Sequence, residues 1–307
     1  MDKAAPPQPY RPGRAVLQGL LDLRPSLGLE VAAFPVEDAV ARGLAVAQVY
    51  AFASVDYPGA AHSVVLDSDG TTAVGAFDFD PSIDRTTAFT FAGGVYQILT
   101  VPSSTLSVAT GINGAGLIVG LYEDLGGVLR GFANNRGIFS DVDFPGANVT
   151  QVIGVNDAGE MVGDYFDAAG VEHGFLSSGG IFTTIDFPGA NSTAPAGINA
   201  AGDIVGTWSD ATGVHGFLLQ AGVFTPIDFP LATSTSAFGI SDTGEIGGTY
   251  TDAADIASHG FVFAGGAFST VDVAGASSTQ LTRIKNGGLV VGLYIDALNE
   301  LHGFTGQ

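Results

Sequence analysis

Four histidines recur in one context: His173-Gly174-Phe175, His215-Gly216-Phe217, His259-Gly260-Phe261 and His302-Gly303-Phe304. Imidazole is the commonest metal ligand and titrates near neutral pH, so four equivalent copies invite a metal hypothesis. The spacing argues against it. The copies stand 42 to 44 residues apart, at one position of successive repeats. Equivalent atoms of neighbouring repeats lie over ~10 Å apart, since adjacent strands alone are spaced ~4.8 Å. A metal needs its nitrogen ligands at ~2.0–2.1 Å. No metal site is therefore read from the sequence, and each imidazole is expected to bond a neighbouring loop or repeat.

Aspartate recurs in two series. Asp56, Asp143, Asp186, Asp228 and Asp272 precede a turn rich in aromatics, Pro and Gly. Asp124, Asp167, Asp210, Asp252 and Asp296 stand in the hairpins expected between second and third strands. The structural expectation is turn chemistry, because Asp bonds backbone amides in tight turns. The functional one is a surface for a cation or a cationic partner. Calcium would need about six to eight oxygens at one point. Asp67-Ser68-Asp69-Gly70 and Asp78-Phe79-Asp80 are weak echoes of a calcium loop. A third series, Phe77, Tyr122, Tyr165, Trp208, Tyr250 and Tyr294, reads as packing between repeats, with a sugar-stacking platform as the alternative.

Exceptions to the repeat need a separate reason. A recurrent Gly-Ile-Asn becomes Arg283-Ile284-Lys285 in the last copy, and in the first copy its Gly and Asn slots are read as Val65 and Asp67. Arg suits a carboxylate because its planar fork binds bidentately. Arg283, with Lys285 and His62, is thus the candidate ligand-binding set, for a carboxylate or another anion. The structural alternative is an ion pair with surrounding acids. No catalytic residue is assigned. The chain has no Gly-x-Ser-x-Gly elbow and no Gly-x-x-x-x-Gly-Lys phosphate loop, and no cofactor is implied.

These residues are carried by a regular framework. Gly75, Gly120, Gly163, Gly206, Gly248 and Gly292 mark a period of 42 to 45 residues. The clearest unit holds four short segments rich in β-branched and aromatic residues: 193–199, 203–209, 214–219 and 223–229. Each is bounded by Gly, Asp or Pro, as strands are. Four strands in ~43 residues match one blade of a β-propeller. The chain ends on third-strand sequence, while 49–56 aligns with fourth-strand sequence at 181–186. The expected fold is all-β: a six-bladed propeller whose N-terminal strand completes the last blade and leaves no edge unpaired at the seam. Two units are expected, an N-terminal appendage at 1–48 and the propeller at 49–307. Within the appendage 14–23 and 36–48 are candidate helices.

Composition narrows the functions. Net charge is −21, and residues 1–48 are balanced, so the excess belongs to the repeat region, with its 26 acidic and five basic residues. This disfavours nucleic acid and anionic membranes as partners. There is no Cys, which excludes disulfides and thiolate chemistry. No apolar run is long enough to span a membrane as a helix.

The unit Gly-Ile-Asn-x-x-Gly-x-Ile-Val-Gly, then His-Gly-Phe, then Ile-Asp-Phe-Pro-Gly-Ala resembles the HAF family of bacterial extracellular repeat proteins. The resemblance covers about residues 49–307. The first two repeats depart, reading Thr87-Ala88-Phe89 and Arg130-Gly131-Phe132. It implies repeat architecture and an extracellular or periplasmic site, although 1–12 lack a signal-peptide pattern. The functional expectation is a binding or scaffold propeller. It would recognise a partner, glycan or small ligand at the channel or the acidic loop face. The alternative is an enzyme (lyase, cyclase or hydrolase) acting in the central channel.

Overall fold

In a computed structural model of the chain, residues 50–79, 86–252 and 257–307 are described. The appendage expected at 1–48 and its two candidate helices lie outside them.

The described residues form six four-stranded antiparallel sheets, each a meander. They are the blades of a six-bladed β-propeller. Blade 1 spans 62–98, blade 2 104–142, blade 3 149–185, blade 4 192–227 and blade 5 232–271. Blade 6 takes its first three strands from 278–306 and its fourth from Phe52–Ser54. At this seam Phe52 pairs with Gly306, Ala53 with Thr305 and Ser54 with Phe304. Backbone bonds from Ala51 to Gln307 and from Val55 to Gly303, both 2.9 Å, extend the pairing. The ring therefore closes as the fourth-strand sequence at the N-terminal end of the repeats requires.

The repeat motifs have direct packing reasons. The Phe of each triplet, from Phe89 to Phe304, is fully buried within its blade. It lies over the glycine of the second strand. A Cβ at Gly206 would stand 2.8 Å from the Phe217 ring and 2.3 Å from the carbonyl oxygen of Ala194. The middle Gly of the triplet faces the next blade: a Cβ on Gly174 would meet Pro195 at 2.4 Å. So Phe fills the blade, Gly lets blades approach, and His is left to reach the loops.

Loops after fourth strands and hairpins between second and third strands emerge on one face of the ring, called here the loop face. The first strands line the axis and end in hairpins on the opposite face.

Replacing Gly206 by Ala is expected to destabilise the protein by about 1–3 kcal/mol, the usual range for an overpacked site. Urea unfolding checks this, and wild-type stability in the variant would contradict it.

Candidate functional site

Two regions carry the polar residues that the sequence singles out: the loop face and the axis.

On the loop face each triplet histidine is held by its own blade. His173 Nδ1 contacts Asp186 at 3.0 Å, His215 Nδ1 contacts Asp228 at 3.1 Å, and His259 Nδ1 contacts Asp272 at 2.8 Å. His302 Nδ1 contacts Asp56 at 3.1 Å, across the seam. On the other ring edge, Nε2 of His173, His215 and His302 faces Asp167, Asp210 and Asp296 at 3.6–3.7 Å. In blade 2 Arg130 replaces the imidazole and bridges the same two positions, Asp124 and Asp143, at 2.8 Å each. The repeated unit is therefore one cationic or polar side chain between two carboxylates.

An aromatic sandwich aims it. The loop residue Phe144 of blade 2 stacks on Tyr165 of blade 3 at 3.6 Å, and His173 covers the other side of that ring at 5.3 Å. Phe187, Trp208 and His215 repeat the stack, as do Phe229, Tyr250 and His259. The aromatic series thus packs between blades, with both ring faces covered in these three. Most of the Tyr hydroxyls reach the fourth strand. Tyr122 bonds Asp141 at 2.8 Å, and burial together with that bond pushes its pKa up to about 12. Trp208 faces the fourth strand of blade 4 with its Nε1 unpartnered.

The two aspartate series divide the labour. The hairpin series does turn chemistry. Asp167 Oδ1 accepts the amides of Ala169 and Val171, and Asp296 Oδ1 those of Leu298 and Glu300, all at 2.8 Å. These amides hold Asp167 and Asp296 below the usual carboxylate range, helped by the facing histidines. Asp124 is lowered by the Val128 amide and then by Arg130. The loop series instead turns to the histidines and stays exposed, at 45% for the Asp186 and Asp228 side chains. What fixes those loops is a buried hydroxyl. Thr150, Thr193, Thr235 and Thr279 accept the amides of Phe144, Phe187, Phe229 and Val273 at 2.9–3.0 Å. These threonines belong to none of the residue series singled out by type and spacing. Their signal is a Thr six residues after the loop Phe, or after Val273 in the last copy, with Ser63 standing likewise after Tyr57.

At the axis the first strands converge. Gly111, Gly154, Gly197 and Gly239 pair across from Val119, Val162, Val205 and Gly247 of the second strand, just past a bulge. A Cβ on Gly154 would lie 2.4 Å from the Ala196 carbonyl oxygen, and one on Gly239 2.6 Å from the Ile284 nitrogen. Arg283 occupies this slot in blade 6, opposite Val291. Asp67 occupies it in blade 1, opposite Val74. Asp67, expected in the Asn position of Gly-Ile-Asn, thus lies in the glycine slot instead. Asp69 holds that position, accepting the amides of Thr71 and Thr72 as Asn113 accepts those of Ala115 and Leu117.

Arg283 is buried, 6% exposed, and lies across the axis. Its Nη1 donates to the carbonyls of Thr282 at 2.7 Å and Phe238 at 3.1 Å. Its Nη2 donates to Ile153 at 2.6 Å and Thr110 at 3.0 Å. Its Nε faces Asp67 at 3.7 Å. One side chain thus touches blades 1, 2, 3, 5 and 6. Burial pulls the guanidinium below its ordinary value, and Asp67 opposes that. Lys285 Nζ meets Asp67 Oδ1 at 2.8 Å, and Asp67 Oδ2 accepts the Ile112 amide at 3.0 Å. The structure brings Arg283 and Lys285 together on one carboxylate. His62 lies apart from them, at the far end of its strand, 3.3 Å from Asp78. The cavity beside Arg283, bordered by Asp67, Gly197, Ile240 and Lys285, measures ≈ 20 Å³. That is room for about one water.

No family model and no curated relative matches the sequence. Solved structures do match in shape. AofleA from Arthrobotrys oligospora superposes with a TM-score of 0.51 at 13% identity, covering 85% of this chain and 89% of that one. A variant of the Aleuria aurantia lectin in complex with Fucα1-6GlcNAc gives 0.50 at 9%, covering 82% and 93%. The propeller domain of the trilobed protease from Pyrococcus furiosus gives 0.50 at 9%, covering 80% and 95%. The likeness is one of fold. Among the described residues, no helix is long and apolar enough to cross a membrane.

Two outcomes are expected. Arg283→Met should cost about 3–5 kcal/mol in urea unfolding, because Asp67 and four carbonyls lose their buried partner. The depressed carboxyls of the hairpin series stabilise the fold above their unfolded range of about pH 4, and that contribution is lost as pH falls through their folded values. Asp167→Asn should therefore show a small Tm deficit at pH 7 that closes as pH falls through the depressed folded range of the carboxyl. A deficit that persists in acid would contradict the assignment.

Proposed function

We propose that the protein is a non-enzymatic binding propeller that engages a macromolecular partner through its loop face. The observation that carries this reading is the repetition there of one unit. A histidine or arginine stands between two carboxylates in blades 2, 3, 4 and 6, His259 meets Asp272 in blade 5, and each of these four histidines lies on an aromatic ring. Repeated weak contacts on a rigid ring add by multivalency. The chemistry favours a partner with repeated positive charges, such as a basic polypeptide segment, since the exposed carboxylates outnumber the cations. The axis supports this indirectly. A cavity of ≈ 20 Å³ is far below the ~300–1,000 Å³ of a typical small-molecule site, so the channel-enzyme reading has no room for a substrate beside Arg283. The candidate set of Arg283, Lys285 and His62 would bind an anion only by giving up bonds that it makes to the protein.

The motif Gly-Ile-Asn with His-Gly-Phe supports placing the chain among HAF-type exported bacterial repeat proteins, and with them outside the cytoplasm. A glycan is the second reading. It draws on the fucosyl ligand of the Aleuria aurantia lectin, whose fold this chain shares. The covered ring faces of Tyr165, Trp208 and Tyr250 count against stacking of a sugar on that series.

Binding of the immobilised protein to basic peptides and to a glycan array, each at low and high salt, tests the reading. The expected result is retention of basic peptides that falls with salt and weakens severalfold in Asp186→Asn/Asp228→Asn. Salt-insensitive binding of neutral glycans would replace it with the glycan reading. Binding to neither would sink it.

A further inference from the structure

One buried polar cluster serves neither the loop face nor the axis. Asp164 lies on the second strand of blade 3, Met161–Phe166, at a slot filled elsewhere by Ala76, Leu121, Thr207, Thr249 and Leu293. It pairs across with Gln151 on one side and Gly174 on the other. Directly opposed residues share a sheet face, and so does a residue two further along. Glu172, two before Gly174, therefore lies on the same face as Asp164. That face looks toward blade 4, because Gly174 abuts Pro195 there and Glu172 stands beside Ser192 of that blade, whose hydroxyl meets Ser209 at 2.8 Å. His173, between them, points the other way, to Asp167 and Asp186.

Two carboxyl groups thus share one interblade seam. Asp164 is 4% exposed and Gln151 1% exposed, while Glu172 is half-buried at the loop-face end of its strand. Among the described residues no Lys, Arg or His pairs with either acid. Gln151 Nε2 donates to Asp164 Oδ2 at 2.8 Å, and Gln151 Oε1 is buried with no partner. A buried charge without a partner is costly, and so is a buried unpaired amide oxygen. The stranded carboxyl points to a missing positively charged object, and the unpartnered Gln151 oxygen is free to turn toward it.

We propose that Asp164, Glu172, Gln151 Oε1 and Ser192 Oγ form a site for a hard divalent cation such as Ca²⁺ between blades 3 and 4. All four donors are oxygens, the set that Ca²⁺ and Mg²⁺ prefer, with waters completing the shell. A half-turn of the Gln151 amide exchanges Nε2 for Oε1 and turns a donor into a ligand. The half-buried Glu172 is the entry, reached from the acidic loop face. Without the cation, burial and the neighbouring Glu172 push the Asp164 carboxyl well up, so a proton competes for the same place. Glu172 is raised by burial as well.

The test uses the full chain after chelation, with CaCl₂ and MgCl₂ as probes at constant ionic strength. Calorimetric titration at pH 7 should give one equivalent, with a saturable rise in Tm. The rise should vanish in Asp164→Asn and require at least tenfold more Ca²⁺ in Glu172→Gln. It should shrink as pH falls, because protons occupy the carboxyls. The raised carboxyls add a sign that does not depend on the metal. Stability is full below their unfolded range of about pH 4 and is lost as pH rises toward the folded values. Cation-free Asp164→Asn should thus melt above cation-free wild type at pH 7, with the gap closing in acid. No Tm shift in wild type with either ion at millimolar concentration would overturn the proposal and leave a protonation site. An equal shift in wild type and Asp164→Asn would also overturn it, by placing the ion elsewhere. Should Asp164→Asn fail to fold, the Glu172→Gln titration decides alone.

Discussion

Everything in this propeller depends on how closely six strands can be brought to one axis. Backbone carbonyls from neighbouring blades converge there, and three of the six slots, at Gly154, Gly197 and Gly239, admit no side chain beyond hydrogen. A ring of inward carbonyls is an electrostatic problem, since each oxygen needs a donor and water has little room. Arg283 answers it with four donors in a fixed plane, which a lysine could not supply. Asp67, in the equivalent slot of blade 1, balances the charge and links the first and last blades beside the seam. The seam is thus closed twice: at the outside by Phe52–Ser54 on the final strand, and at the axis by this ion pair.

Outward from the axis the repeat distributes its polar groups by need. An asparagine ring relays blade to blade, Asn113 to Asn156, Asn156 to Asn199 and Asn199 to Ser241. At the end of that relay Lys285 reaches Asp67 and completes the circuit with charge. On the loop face the buried threonines fix the loops and the stacked aromatics fix the histidines. The acidic side chains left over are the exposed ones. A closed axis together with a regular acidic face is the physical basis for placing recognition at the surface.

Much of the architecture was legible from the chain because propellers repeat their packing rules. The glycine period and the Phe of each triplet have one steric cause, repeated six times, and the fourth-strand sequence at the front has one place to pair, at the seam. Exceptions were harder to place. Arg283 stood out as a cation where glycine recurs, yet its partners on Thr110 and Ile153 are 173 and 130 residues away. No local pattern encodes a side chain that crosses a ring. Asp67 was misplaced by two residues because a bulge precedes the slot and the following hairpin of blade 1 is one residue shorter than that of blade 2. His62 was grouped with Arg283 from its place on an inner strand, but it sits at that strand's other end, on Asp78. Asp164 was one acid among many, and only its register across from Gln151 and beside Glu172 shows it to be stranded.

A double-mutant cycle between Asp67 and Arg283 tests the central claim, that the axis is a structural pin. Asp67→Asn, Arg283→Met and the double variant would be unfolded in urea alongside the wild type. The account predicts that the double variant is more stable than the two single losses added together, by about 1–3 kcal/mol, because each single change strands a buried charge. Additive losses near zero, with a fully stable Arg283→Met protein, would show that the blades close without the pin and return Arg283 to the pool of ligand-binding candidates.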